Sequence, residues 1–236
     1  MRSVLILALS LGALACTMGP GAAARSEAAR PTAQATPVTR IEPLAGDRTT
    51  LESELQDLLA LLPGRYVGVD GNGQRLFHKI APIVAPQFGV TVFYHQVSRD
   101  GFDSLEPAQQ KIYVFDRAPD RQFNGMRSFV FYPKQGYANF ERDVEALRSV
   151  QPAMLMSFPS TCGVRWQQGK LPGQFIARSR SDTCSFQGAV FKQRIRPDMT
   201  YVLDADSFSV EDLLYGENGQ PLFPRTGLLR ALRQPR

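Results

Sequence analysis

Between Cys162 and Phe208 the chain runs in short segments of alternating character, and these hold two of its three cysteines and its only tryptophan. Successive side chains of an extended strand point to opposite faces, so Cys162, Val164 and Trp166 share one face of a strand. Cys184, Phe186, Gly188 and Val190 share a face of the next long strand. Two cysteines at the starts of two strands predict a covalent cross-tie within antiparallel β structure, wherever the compartment allows thiols to oxidise. Further on, Asp204 and Asp206 fall on one strand face after Val202-Leu203, a pairing that suits shared acid–base work or a solvated strand end.

The same texture extends towards the N-terminus. Tyr66–Val69, Leu76–Val84 (interrupted by Pro82), Phe88–Val97, Lys111–Phe115 and Met126–Tyr132 are rich in aromatic and β-branched residues. Val90, Val92, Tyr94 and Gln96 share one face of the third of these. A last short strand is expected near Gln220–Phe223. Many short strands punctuated by turns argue for an antiparallel sandwich or closed barrel, and closure removes the exposed edges of so long a sheet. Two helices interrupt the pattern. Thr49 and Glu52 form a capping box ahead of Leu51, Leu55, Leu58, Leu59 and Leu62 at helical spacing, and Pro63-Gly64 ends the run. Asn139 is placed to cap a second, where Phe140, Val144 and Leu147 share a face. The expected fold is therefore mainly β, a calyx-like, lipocalin-like antiparallel barrel flanked by two short α-helices.

The first 15 residues have the make-up of a secretory signal: one Arg, an apolar run from Val4 to Ala15, and small residues before Cys16. The run is shorter than the roughly 20 apolar residues a spanning helix needs. Small residues ahead of a cysteine resemble the bacterial lipobox, which implies lipidation of Cys16, the alternative being plain cleavage after Ala15. Lipidation would use one of three cysteines and leave Cys162 and Cys184 to pair. Residues 16–47 hold almost no large apolar side chain and read as a flexible Ala/Pro-rich tether spanning about 30 Å. The domain is expected over 48–228, followed by a basic tail, 229–236. The resulting picture is an exported protein on the periplasmic face of a bacterial envelope, held to the membrane by its lipid or, alternatively, soluble there.

The net charge is +5, with Arg far outnumbering Lys and both scattered. No recognition helix or basic–aromatic motif accompanies them, which argues against nucleic acid as a partner. The sequence has no GxSxG, Walker, HExxH or CxxC pattern and only two histidines, His78 and His95, so neither a His-based metal site nor a standard nucleophilic triad is indicated. His95, between Tyr94 and Gln96 in an apolar strand, is either a hydrogen-bonded wall residue or an acid–base group.

Taken in order, LLPGRYVG, the FYHQV of Phe93–Val97, Pro107-x-x-Gln110-Lys111-Ile112-Tyr113, the Cys–Trp–Cys stretch ending VLDADSF, and LLYGENGQPLFPR resemble the CpcT/CpeT chromophore lyases. The likeness spans Leu61 to about Arg225. It implies an antiparallel barrel that binds a linear tetrapyrrole (a bilin) and attaches it by thioether to a cysteine of an acceptor protein, with no cofactor required. On matching positions it implies ligand contacts at Tyr94, Gln96, Lys111, Tyr113 and Asp204, with His95 standing where the family commonly has Glu. The partners implied are a hydrophobic or tetrapyrrole-like small molecule and an acceptor protein, and a homodimer is compatible with either. The rival reading is a non-catalytic envelope scaffold whose barrel is filled by its own side chains.

Overall fold

The computed structural model describes residues 48–117, 124–131, 137, 139–179, 184–188, 192–222 and 227–235. The expected signal, the tether and Cys16 lie outside them.

Twelve strands form one antiparallel system: β1 (Gly64–Val69), β2 (Arg75–Ile83), β3 (Thr91–Ser98), β4 (Gln109–Arg117), β5 (Asn124–Val130), β6 (Met156–Ser157), β7 (Val164–Gln168), β8 (Phe175–Ser179), β9 (Phe186–Gly188), β10 (Gln193–Leu203), β11 (Ser207–Tyr215) and β12 (Leu229–Arg233). Ten of them close a ring in the order β1, β2, β3, β4, β5, β7, β8, β10, β11, β12, with β6 and β9 attached outside it to β5 and β10. The chain is a calyx-like barrel. Its closing element is a finding the sequence did not suggest. Residues 229–236, expected as a basic tail, instead supply β12, in which Tyr66 pairs with Arg233 and Phe208 with Ala231. Alternation hides this strand: LRALR offers one small residue, Ala231, to the interior, and looks charged when read linearly.

Helix α1 (Arg48–Leu61) begins one residue ahead of the expected cap, and its Leu58, with Leu62 directly after its end, is fully buried in the barrel core with Tyr66, Phe208 and Ala231. Its C-terminal carbonyls are capped from the last strand. Arg233 donates through Nη1 to the Pro63 carbonyl (2.9 Å), through Nη2 to that of Leu61 and to the Tyr66 hydroxyl (2.6 Å), and stacks over the Tyr66 ring. A guanidinium suits this place because it satisfies several end-of-helix acceptors at once while opposing the negative helix terminus.

The second helical region differs from expectation. A 3-10 turn, Phe140–Arg142, precedes α2 (Val144–Ser149), and Asp143 is the cap, its Oδ1 accepting from Ala146 N at 2.9 Å. Asn139 instead takes a left-handed φ of 50° and makes no side-chain cap. Phe140 and Leu147 are buried while Val144 is 56% exposed, because the break at Asp143 rotates α2 out of the assumed register. This element covers the outside of β2–β5, where Val92, Tyr94, Ile112, Phe129 and Phe131 form a second apolar layer.

Three strand expectations also change. Cys162 lies in a 3-10 turn ahead of β7 and Cys184 just before the three-residue β9, so neither opens a long strand. The cross-tie nevertheless forms, with an S–S distance of 2.13 Å and Cα atoms 4.6 Å apart. Near Gln220–Phe223 the described residues show only a bridge, Tyr215 to Pro221. Asp204 and Asp206 occupy the β10–β11 turn rather than one strand face. There Asp204 Oδ1 accepts from the Asp206 backbone N–H and the Ser207 hydroxyl, both at 2.9 Å.

Candidate functional site

Residues opposite one another in an antiparallel pair share a face. His95 faces Lys111 across β3–β4, Phe93 faces Tyr113, and Tyr201 faces Val210 across β10–β11. Since Phe93, Tyr113 and Tyr201 belong to the barrel core, this register turns His95 and Lys111 inward with them. The same parity turns Tyr94 and Gln96 outward. The expected contact set is thus divided by the wall: His95, Lys111 and Tyr113 inside, Tyr94 and Gln96 under the α2 cover, and Asp204 in its turn.

Inside, six polar side chains form two hydrogen-bonded sets of three, His78–His95–Tyr113 and Tyr201–Asp212–Lys111. His78 on β2 and His95 on β3 stack at 17° between ring planes, with His78 Nδ1 and His95 Nε2 3.1 Å apart. His95 Nδ1 is 2.7 Å from the Tyr113 hydroxyl. The rings of Tyr113 and Tyr201 meet edge to face, their centroids 6.3 Å apart. Tyr201 donates to Asp212 Oδ1 at 3.0 Å, and Lys111 Nζ donates to Asp212 Oδ2 at 2.6 Å. Lys111 on β4 and Asp212 on β11 stand five strands apart in a ring of ten, so their ion pair crosses the barrel. Aromatic rings complete this layer: Phe208 lies edge-on to both histidines, and Tyr201 sits between Phe208 and Trp166. Only Asp212 reaches towards water, at 34% side-chain exposure against 7% for Lys111.

Burial sets the protonation of these groups. It depresses His78 to about 4 and His95 well below the ordinary histidine value, with the Lys111 charge acting in the same direction. Burial, followed by the Asp212 charge, raises both Tyr113 and Tyr201 well above the usual phenol value. The histidines are therefore neutral and both phenols protonated, so His78, His95 and Tyr113 form a neutral set while Tyr201 donates to the Asp212 carboxylate. An unfolded histidine protonates near 6.5, whereas folded His78 waits until about 4. The unfolded chain takes up protons first as pH falls, so stability is full above the unfolded value and declines through the interval down to the folded one. Urea titrations at pH 7 and pH 4.5 should differ by at least about 1 kcal/mol, and His95→Gln should reduce the difference.

The outward face carries a second polar set. Tyr94 donates to Gln96 Oε1 at 3.0 Å, Gln110 Nε2 reaches the Tyr94 hydroxyl, and Gln96 Nε2 donates to Ser98 Oγ and to the Phe102 carbonyl. Lys79 meets Glu141 at 2.8 Å, with side-chain exposures of 6% and 8%. These bonds fasten the cover and the 99–108 loop to the wall, which gives Tyr94 and Gln96 a structural role here.

No protein-family model matches the sequence, and neither does any curated protein. Among solved structures, the CRL protein of Arabidopsis, determined in its selenomethionine form, matches with a TM-score of 0.54 at 12% identity, over 79% of this chain and 98% of that one. The likeness is one of fold. It extends over nearly all of the plant protein and agrees with the barrel derived from strand pairing.

Sequence reasoning missed His78, Tyr201 and Asp212 as partners of His95, Lys111 and Tyr113. His78 and His95 are the chain's only histidines, and a β2–β3 pairing placing both on the inner face was the available signal. Tyr201 and Asp212 become inward-facing only once the β10–β11 register is fixed.

Proposed function

We propose that this barrel binds a linear tetrapyrrole, or a similarly flat and largely apolar molecule bearing carboxylates, at the end where Asp212 reaches solvent. The Lys111–Asp212 pair carries the reading. An interior needing only to be filled is best filled by apolar side chains, because burying an ammonium costs several kcal/mol that an ion pair seldom repays in full. A cation held in an aromatic-lined barrel by a carboxylate that is itself one-third exposed is suited to exchange that carboxylate for one from a ligand. Tetrapyrroles offer propionates for the lysine and a broad π surface for Tyr113, Tyr201 and Phe208. The resemblance to CpcT/CpeT lyases adds the finer form, covalent transfer of the bilin to an acceptor cysteine. The Cys162–Cys184 bond supports an oxidising compartment, and with it export, while the lipid anchor rests only on the lipobox-like residues ahead of Cys16.

Titrating the purified protein with biliverdin should give a saturable change in the visible spectrum, and an unchanged spectrum would remove the tetrapyrrole reading. Co-expression with a bilin source and an acceptor protein tests transfer, through a covalent adduct that survives denaturation.

The filled-barrel scaffold has one observation in its favour. Lys111 meets Asp212 across the ring, and Tyr201 is in ring contact with both Tyr113 and Trp166, so at this level the opposing walls already touch.

A further inference from the structure

Outward-facing residues of β12, β1 and β2 form an apolar stripe. Side chains alternate between faces along a strand, and Tyr66, His78 and Ala231 are buried on the inner one. Their sequence neighbours Val67, Phe77 and Leu232 therefore point outward. Register lines these up: Val67 lies opposite Leu232 on one side and Phe77 on the other. The Phe77 ring meets that of Phe102 edge-on at 5.3 Å, which carries the stripe onto the 99–108 loop. Leu232 is 51% exposed, and Val69, on the same face as Val67, 56%. A sheet face turned to water normally carries polar side chains at these positions. On β3–β5 the outward apolar residues are roofed by the Phe140–Ser149 region, whereas Leu232 and Val69 have no such roof. Guanidinium groups border the stripe. Arg75 lies over the Phe77 ring at 5.1 Å and Arg65 over that of Phe102 at 5.2 Å, while exposed Arg230 shares the outward face of β12 with Leu232. Among the described residues one carboxylate meets these three arginines, Asp103, which is 3.5 Å from Arg65 and 54% exposed.

We propose that this wall of the barrel rests on a membrane surface rich in anionic phospholipid. Leu232, Val67, Val69 and Phe77 meet the acyl boundary, and Arg65, Arg75 and Arg230 take headgroup phosphates. Charge decides the class of occupant, since three guanidiniums against one exposed carboxylate call for an anion. Shape decides between a membrane and an acidic protein. The outer wall of a closed barrel is convex, so a protein partner needs a matching concavity, whereas lipid headgroups rearrange around a convex body. A second copy of this chain would bring the same arginines together, and like charges oppose that contact. Arginine suits the place because its stem and stacked plane lie along the apolar stripe while its N–H groups reach phosphate oxygens. Apolar burial added to attraction for anionic lipid is what holds a peripheral protein at an interface. The inference stands apart from the tetrapyrrole reading, because the stripe lies outside the barrel and Lys111 and Asp212 inside it.

Residues 16–236 carrying Cys16→Ser keep the whole described domain and exclude both the apolar leader and any acyl chain, so vesicle binding reports the barrel itself. Vesicles of equal parts phosphatidylglycerol and phosphatidylcholine should carry this protein down on sedimentation, and vesicles of phosphatidylcholine alone should not. Arg75→Gln with Arg230→Gln should lower the partition coefficient about thirtyfold, the scale of two basic contacts with an anionic surface. Leu232→Gln with Val69→Gln should lower it about tenfold. All four positions are exposed, and circular dichroism checks that each variant keeps the wild-type fold. Val84→Gln with Val90→Gln, in the β2–β3 connection at 87% and 103% exposure, is the control and should leave binding unchanged. Equal binding to both vesicle types, no binding to either, or a loss confined to the Val84 and Val90 pair overturns the proposal. So does a dimer in sedimentation velocity that Leu232→Gln with Val69→Gln dissolves, since the stripe is then buried between copies.

Discussion

Replacing Cys162 and Cys184 together with alanine lowers stability by about 3 kcal/mol, as judged from the loop that the bond closes. The two residues are 22 apart in sequence, and the entropy removed from the unfolded chain by tying such a loop sets that magnitude. In a domain of this size each kcal/mol moves the melting temperature by about 2–4 °C, so the midpoint should fall by roughly 6–12 °C. Alanine is the right replacement because both cysteines are essentially inaccessible, at 1% and 0% exposure, and a serine hydroxyl would add its own desolvation cost. Thermal unfolding followed by circular dichroism measures the loss, and a thiol reductant on the wild type should reproduce most of it. The bond ties the turn before β7 to the segment before β9. Those two points frame the β7–β8 hairpin, where Trp166 and Phe175 enter the core.

Asp212→Ala has a cost of comparable size, for a different reason. Removing the carboxylate leaves the Lys111 ammonium at 7% exposure with no counter-charge, and orphaning one member of a fully buried pair costs about 3–5 kcal/mol. Because Asp212 is one-third exposed and water can enter in its place, about 2–3 kcal/mol is expected here. Lys111→Met should cost less, since the remaining carboxylate can turn to solvent while the thioether fills the lysine's place. The double variant Lys111→Met with Asp212→Leu should recover most of the Asp212→Ala loss. A double-mutant cycle by urea denaturation therefore reads as strongly non-additive. Additive losses would mean that the two groups do not face each other across the barrel.

The architecture was legible where it depends on local alternation. Runs such as Phe93–Val97 and Lys111–Phe115 contain enough aromatic and β-branched residues to mark strands without knowing their partners. The Leu58 and Leu62 stripe likewise marked its helix. What remained hidden depends on register and on contacts distant in sequence. β12 is invisible in LRALR because one alanine is its whole core contribution. Tyr94 and His95 are adjacent in sequence, yet one serves the outer layer and the other the inner, and composition does not say which. Asp204 looked like half of a carboxylate pair, but the three-residue turn between β10 and β11 uses its side chain to hold its own backbone. The acid that matters is Asp212, eight residues later, whose partner Lys111 is 101 residues away in the chain.

The central claim, that Lys111 is held ready for a ligand carboxylate, is tested most directly by comparing biliverdin with its dimethyl ester on the wild type and on Lys111→Met. The ester keeps the ring system and loses the charge. The wild type should bind the free acid about tenfold more tightly than the ester, the scale of one charge-assisted hydrogen bond. Lys111→Met should bind the two alike. Equal affinities on the wild type, or no binding of either, would contradict the account.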